Sequence, residues 1–315
     1  MTIFDPTRPV VHVPIMVGPI LEALLAPFRA LPPGRSAHYY ADCTLGGGGH
    51  TGVFLEAFAS DPLLQHHRVI AFDQDPNAIE RARIRFAKEI AEGRLEIIQS
   101  RFSQIESYLK ERPVLALLAD LGFSSDQMDN PARGLSFQAE GPLDMRLNPE
   151  EGMSCRDYLM RVSETELEQV LREYGEEKFS RRIAAAIMQA RREKRLPITT
   201  KELSDLVVRA IPPNARHGRI HAATRTFQAL RIVVNEELEE LDCLLKNVLR
   251  GVKPGGRVAI LSFHSLEDRQ VKNAFRDDSL PFKALTKKPI EADDEELRRN
   301  PRSRSAKLRI AEVLG

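Results

Sequence analysis

Four consecutive glycines, Gly46 to Gly49, separate a short apolar run, Tyr39–Cys43, from a helix-forming one, Val53–Ala59. That order reads as strand, tight turn and helix start. Glycine takes φ > 0 without strain and lets a ligand approach bare backbone. The full stretch, Ala-Asp-Cys-Thr-Leu-Gly-Gly-Gly-Gly-His-Thr-Gly (41–52), is not G-x-G-x-x-G with phosphate-binding residues behind it. It also lacks the Lys-Ser/Thr of a P-loop. It predicts a nucleotide-like ligand and leaves its kind open.

Around this turn, short apolar runs alternate with helical ones. Strands are expected at His38–Cys43, Arg68–Phe72, Leu95–Gln99 and Val114–Ala119. Helices are expected at Val53–Ala59, Asn77–Ala91 and Phe102–Lys110, with Pro76 well placed to open the second. This β-α-β alternation predicts a parallel sheet covered by helices. From about 123 to 222 no strand pattern is visible. After the loop-like Asp126–Asn148 come helical stretches Cys155–Val162, Glu164–Tyr174, Glu177–Arg195 and Lys201–Ala210. Ser163 with Glu166, and Thr199 or Thr200 with Glu202 or Leu203, supply start signals. A helix Phe227–Arg250, a turn Pro254-Gly255-Gly256 and a strand Arg257–Phe263 resume the α/β pattern, and Lys307–Val313 suits an edge strand. The expected organisation is an α/β domain in two parts, 1–122 and 223–315, split by a helical insert at 123–222 that recognises substrate.

The chain has 315 residues, and its 42% apolar and 29% charged content suits a soluble globular protein with ample core. A net charge of +1 excludes a global polycation, so any nucleic-acid footprint must be local. Cys43, Cys155 and Cys243 form no C-x-x-C pair, which argues against a disulfide framework or a zinc site. His217 and His221 have metal-ligand spacing, but no acid or cysteine accompanies them. No signal peptide or membrane span is legible, so the cytoplasm is the expected location.

Ligands of open parallel sheets bind at strand carboxyl ends, and three features fall there. The glycine turn follows the first strand. Asp73 ends the second, where an acid takes the hydroxyls of a ribose. Asp120 ends the fourth. The first two suit either NAD or S-adenosylmethionine. Asp120, leading into Asp-Leu-Gly-Phe, favours methyl transfer to an amine. An exocyclic base amine is a poor nucleophile because its lone pair is delocalised, so an acceptor that orients it and stabilises developing positive charge helps. Phe123 offers a face for an unstacked base. A nicotinamide oxidoreductase would need a hydride-transfer acid or base, and none stands out.

With these residues in place, the chain resembles the ribosomal RNA small subunit methyltransferase H family nearly end to end. The resemblance rests on Asp-Cys-Thr-Leu-Gly-Gly-Gly-Gly-His-Thr (42–51), Ala-Phe-Asp-Gln-Asp-Pro-Asn-Ala-Ile (71–79) and Asp-Leu-Gly-Phe-Ser-Ser-Asp-Gln-Met-Asp (120–129). It continues through Gly-Pro-Leu-Asp-Met-Arg (141–146), Ala-Thr-Arg-Thr-Phe-Gln-Ala-Leu-Arg-Ile (223–232), Ser-Phe-His-Ser-Leu-Glu-Asp-Arg (262–269) and Asn-Pro-Arg-Ser-Arg-Ser (300–305). The resemblance implies a Rossmann-like S-adenosylmethionine-dependent methyltransferase domain with a mainly helical insert. The implied reaction is N4-methylation of a cytidine in the decoding region of 16S rRNA, within the small ribosomal subunit. Another RNA, or DNA, is the alternative substrate, and a homodimer is compatible with the sequence.

Carried over by position, the cofactor contacts are Gly48, Gly49, His50, Asp73, Phe102, Asp120 and Gln127, with Asp120 also catalytic and no metal required. Arg146, Arg225, His264 and Arg269 are the substrate-side candidates. The chain departs from the family at Phe123, where a small residue is usual, at Asp126, where proline is common, and at Gly18-Pro19, where an acid is usual. Two basic clusters suit phosphate binding. One is Lys178, Arg181, Arg182, Arg191, Arg192, Lys194 and Arg195; the other, Arg298 to Arg309, forms either a flexible tail or the flank of the last strand.

Overall fold

The computed structural model describes residues 14–32, 36–216, 218 and 220–315. His217 and the whole segment before Pro14 therefore lie outside the described residues. The chain forms two compact units, Met1–Ser124 with Glu239–Gly315, and Ser125–Leu238.

The first unit is built on one sheet. Its strands are β1 (Tyr39–Asp42), β2 (Arg68–Asp73), β3 (Leu95–Gln99), β4 (Val114–Asp120), β5 (Val252–Ser262), β6 (Phe282–Ala284), β7 (Ile290–Glu291) and β8 (Lys307–Val313). The order is β3-β2-β1-β4-β5-β8-β6, with β7 also paired to β8. The pairs from β3 to β5 are parallel, and those made by β8 are antiparallel. The order reverses between β1 and β4, and a doubly wound sheet binds ligands at that switch point.

Both sheet faces are covered, so the central strands read as continuous apolar runs. Tyr40, Val69, Ala71, Ala116 and Leu118 join one core. Their neighbours Ala41, Ile70, Phe72, Leu117 and Ala119 join the other. Tyr40 stacks on Phe54 with ring centroids 3.7 Å apart. The helix Val17–Arg29 packs Ile20, Leu24 and Phe28 into the first core. The Pro-rich composition around it hid this helix from sequence reading, and Pro27 sits in its last turns.

Three expectations need correction. The residues Lys307–Val313 form an interior strand between β5 and β6. Arg309 is consequently buried and paired with Asp268 through Nε at 2.6 Å and Nη2 at 3.2 Å. Pro254-Gly255-Gly256 lies inside β5, where the β4 register slips and Gly255 has φ +79°. This is a bulge, with the extra residues looped out of the ladder. The expected helix Phe227–Arg250 is two helices, Thr224–Asn235 and Glu237–Lys246, broken by Glu236 at φ +52°.

In the second unit the described elements are helices and turns, with one isolated bridge between Pro142 and Thr199. The helices are Ser125–Asp129, Cys155–Arg161, Glu164–Glu173, Ser180–Arg192, Thr200–Ala210 and Thr224–Asn235. Ser163 caps the third by accepting from Glu166 N. Thr199 and Glu202 form a reciprocal capping box on the fifth. Apolar residues at helical spacing, among them Leu167, Leu171, Ile183, Ile187, Leu203, Val207 and Leu230, are buried. Asn235 fastens the loop before Asn148. It accepts from Leu147 N at 2.7 Å and donates to Met145 O and Arg231 O at 2.9 Å.

Candidate active site

The glycine turn is held from below and from the side. Asp42, at the end of β1, is 1% exposed, and both its oxygens are used inside the turn. Oδ2 accepts from Thr51 Oγ1 at 2.7 Å, and Oδ1 accepts from Thr44 N at 3.1 Å. Burial pushes the Asp42 carboxyl up, with His50 and the Thr51 hydroxyl pulling the other way. Gly48 N donates to Leu45 O at 2.7 Å, and Arg85 donates to Gly47 O. Gly48 itself has φ +75°, and a Cβ there would lie 2.5 Å from Phe86 Cε2. Only glycine meets both demands. The helix then runs Gly49–Ser60, so Gly49 and His50 are its first two residues and His50 is buried.

Asp73 at the end of β2 ties two loops together. Its Oδ2 accepts from Gly46 N at 2.7 Å and its Oδ1 from Asp75 N at 2.8 Å. A carboxylate offers about four lone-pair positions, so each oxygen keeps one for a ligand. Burial pushes the Asp73 carboxyl up to about 6, the two amide bonds oppose the rise, and Asp75 and Asp42 add to it. Ser100 N donates to Asp73 O at 2.9 Å, which brings the carboxyl end of β3 alongside. Phe102 opens the next helix, Phe102–Leu109, half-buried against the second core.

Asp120 ends β4. Its N–H donates to Thr44 Oγ1 at 2.7 Å, so the strand end is fastened to the glycine turn. Its Oδ2 lies 3.6 Å from His50 Nε2, and the two side chains are 16% and 7% exposed. His50 Nε2 and Asp120 Oδ1 are buried and make no hydrogen bond. Orphaned buried polar atoms cost roughly 1–3 kcal/mol each, so two of them side by side at a switch point mark a ligand site. Gly48, Gly49, His50, Asp73, Phe102 and Asp120 are thus all brought to the carboxyl ends of β1 to β4.

The remaining candidates lie on other elements. Gln127 is buried on the helix Ser125–Asp129 of the second unit. Arg146, in the same unit, is committed to Asp144 through Nε and Nη2, each at 2.8 Å. Burial alone would raise the Asp144 carboxyl, but this guanidinium holds it below its ordinary value. Arg225 is half-buried on Thr224–Asn235. His264 caps the helix Ser265–Ala274: its Nδ1 accepts from Glu267 N at 3.4 Å, and Glu267 Oε2 accepts from Phe263 N and His264 N. His264 Nε2 lies 3.1 Å from Glu267 Oε1, and Arg269 is exposed on the same helix. His221 Nδ1 accepts from Ala223 N at 3.2 Å. Sequence reading missed Thr44, Thr51, Arg85 and Phe86. The two threonines stand inside the glycine motif and were open to notice, whereas no local pattern marks Arg85 or Phe86.

A parallel sheet that reverses order at a glycine turn, with acids closing the second and fourth strands, defines an α/β enzyme that takes a nucleotide-type cofactor. The model of the MraW methylase family matches residues 9–314, and the chain belongs to that family. It is 47% identical over 279 residues to the ribosomal RNA small subunit methyltransferase H of Sorangium cellulosum, covering 88% of this chain and 85% of the relative. It is 43% identical to the protein of that name from Prochlorococcus marinus, covering 95% and 93%, and 45% identical to that from Nostoc punctiforme, covering 96% and 94%. The enzyme is therefore a methyltransferase. Among the described residues no helix is long and apolar enough to cross a membrane.

Proposed function

We propose that this enzyme methylates N4 of a cytidine in the decoding region of 16S rRNA, with S-adenosylmethionine as donor and the small ribosomal subunit as context. The observation that carries the reading is the orphaned pair, His50 Nε2 and Asp120 Oδ1, buried beside a glycine turn. These residues fit a nucleoside cofactor. The turn offers bare backbone at Gly48 and Gly49, Asp73 keeps acceptor positions for ribose hydroxyls, and Phe102 opens the helix that follows β3. Gln127 completes the proposed set. The cofactor, when bound, supplies a methyl group made electrophilic by its sulfonium.

Asp120 would hold the cytosine amine by accepting a hydrogen bond from its N–H, which orients the nitrogen lone pair for attack. Its charge stabilises the positive charge that develops on the nitrogen, and Oδ1 is free to take the released proton. His50 flanks the other oxygen. The helical unit holds structured RNA through exposed cations. Arg191 is drawn onto the carbonyls of Leu159 and Val162, so Lys178, Arg181, Arg182 and Lys194 are the better phosphate contacts, and Arg225 is a further substrate-side candidate.

Two measurements test this reading. Mass mapping of rRNA after incubation with the enzyme and labelled S-adenosylmethionine is expected to place one methyl on one cytosine amine. Label on a different base, or none, would overturn the assignment. Cofactor affinity is also expected to depend on acid. A folded-state carboxyl near 6 is protonated below that pH, which turns one of its acceptor positions into a donor and removes the charge that favours the ribose hydroxyls. Affinity should therefore fall below pH 6, by at most about tenfold per pH unit, and level off above it. Calorimetric titration of Asp73→Asn should show weaker binding with this pH dependence gone; retention of the slope would remove Asp73 from the ribose site.

A further inference from the structure

A cavity of about 250 Å³ opens beyond the carboxyl end of β5. The strand that leads into its Phe263 wall, β5, is paired with the Asp120 strand. Asp120 pairs with Leu261, and Leu121 N donates to Leu261 O at 3.0 Å. Phe263 follows the end of β5 and packs toward the turn after Asp120. A Cβ on Gly122 would lie 3.8 Å from Phe263 Cδ2. Phe263 is also a wall of the cavity, together with His264, Ser265, Arg304, Lys307 and Glu291.

The charges on these walls do not cancel. Arg309 takes both oxygens of Asp268, which leaves Lys307 with only a long contact to that carboxylate at 3.7 Å. Glu291 stands opposite Lys307 in the β7–β8 ladder, so one acid answers one amine. Arg304 is exposed and has no ion pair or hydrogen bond with the described residues. It does not ride on a loose tail. Asn300 caps the turn Pro301–Ser305 by accepting from Arg302 N at 3.2 Å. Ser303 is fully buried and donates to Asn300 O at 2.6 Å, and Ala306 is buried behind it. The fastened turn fixes where the Arg304 side chain is anchored at the cavity, and its planar fork of donors suits bidentate contact with a phosphate.

We propose that this cavity binds a phosphodiester of the substrate polynucleotide, next to the nucleoside presented to Asp120. The inference rests on the reading above that the substrate is RNA. Arg304 supplies the charge, and the hydroxyls of Ser265 and Ser305 are the neutral donors. Backbone contacts of this kind set register and carry no sequence information. Here the register is that of the base against Asp120.

The test is equilibrium binding of an RNA fragment spanning the decoding region, measured over a range of salt. Loss of one phosphate contact lowers the slope of log K against log salt by about 0.7 to 0.9. Arg304→Gln is expected to show that decrease with about tenfold weaker binding at low salt, for all RNA sequences alike. Glu291→Gln removes the opposing charge and is expected to tighten binding. Both variants should bind S-adenosylmethionine and melt as the wild type does. Wild-type RNA affinity and slope in Arg304→Gln would overturn the proposal, as would no RNA binding by the wild type. RNA binding with the expected Arg304 effect, but no methyl on a cytidine, would instead sink the proposed cytidine methylation and leave the phosphate site standing.

Discussion

Asp120→Asn is expected to slow methyl transfer by about 10²- to 10⁴-fold, the usual range for losing a positioned acid–base group. Asparagine keeps the volume and one acceptor oxygen, so the change isolates the charge. The backbone of residue 120 stays fastened through its N–H to Thr44 Oγ1, which the substitution leaves untouched. What is lost is the carboxylate whose Oδ1 is buried without a partner and whose Oδ2 faces His50 Nε2 at 3.6 Å. Positive charge develops on the amine only as it attacks, so the loss should fall on the rate of the chemical step more than on cofactor binding. Single-turnover transfer alongside calorimetric titration with S-adenosylmethionine separates the two. A wild-type rate in Asp120→Asn would remove this residue from the chemistry.

Gly48→Ala is expected to destabilise the fold by about 2–4 kcal/mol and to weaken cofactor binding at least about tenfold. Two costs combine. An L-residue at φ +75° pays roughly 1–2 kcal/mol for the left-handed backbone alone. The new methyl would also lie 2.5 Å from Phe86 Cε2, and Phe86 is 1% exposed within the first core, so it has little room to yield. The turn cannot relax cheaply either, because Gly52 N donates to Gly48 O at 2.9 Å and Arg85 holds Gly47 O. Adding Phe86→Leu should recover part of the thermal midpoint by relieving the clash, while the backbone cost remains. That non-additivity is the signature of a direct contact. An unchanged midpoint and unchanged affinity in Gly48→Ala would show that the turn tolerates a side chain.

Much of the first unit was legible because its signals are local. The runs that became β1 to β4 matched the structure to within a residue or two, since a buried parallel strand is a continuous apolar stretch. The cap at Ser163 sits where the sequence placed it, and of the two threonines the sequence offered, Thr199 is the cap, because capping depends on residues three apart. Partner choice in a sheet is not local. Lys307–Val313 has the alternation of an edge strand, yet it fills the gap between β5 and β6 and buries Arg309 with it. The break at Glu236 was equally hidden, since nothing in a run of good helix formers marks a left-handed residue.

The sequence by itself determined the class of the site: a glycine turn after the first strand, an acid after the second and an acid after the fourth. Those features follow from strand ends, which short-range patterning reveals. Only the tertiary structure decided what each group does with its atoms. It committed both oxygens of Asp42 to the turn, lent Asp73 to two backbone amides and tied Arg146 to Asp144. It left His50 Nε2 and Asp120 Oδ1 buried without a hydrogen-bond partner, with Nε2 3.6 Å from the other oxygen, Oδ2. The physical reason is that hydrogen-bond satisfaction is settled by distances between segments far apart in the chain, and no spacing along the sequence encodes which buried polar atom is left over.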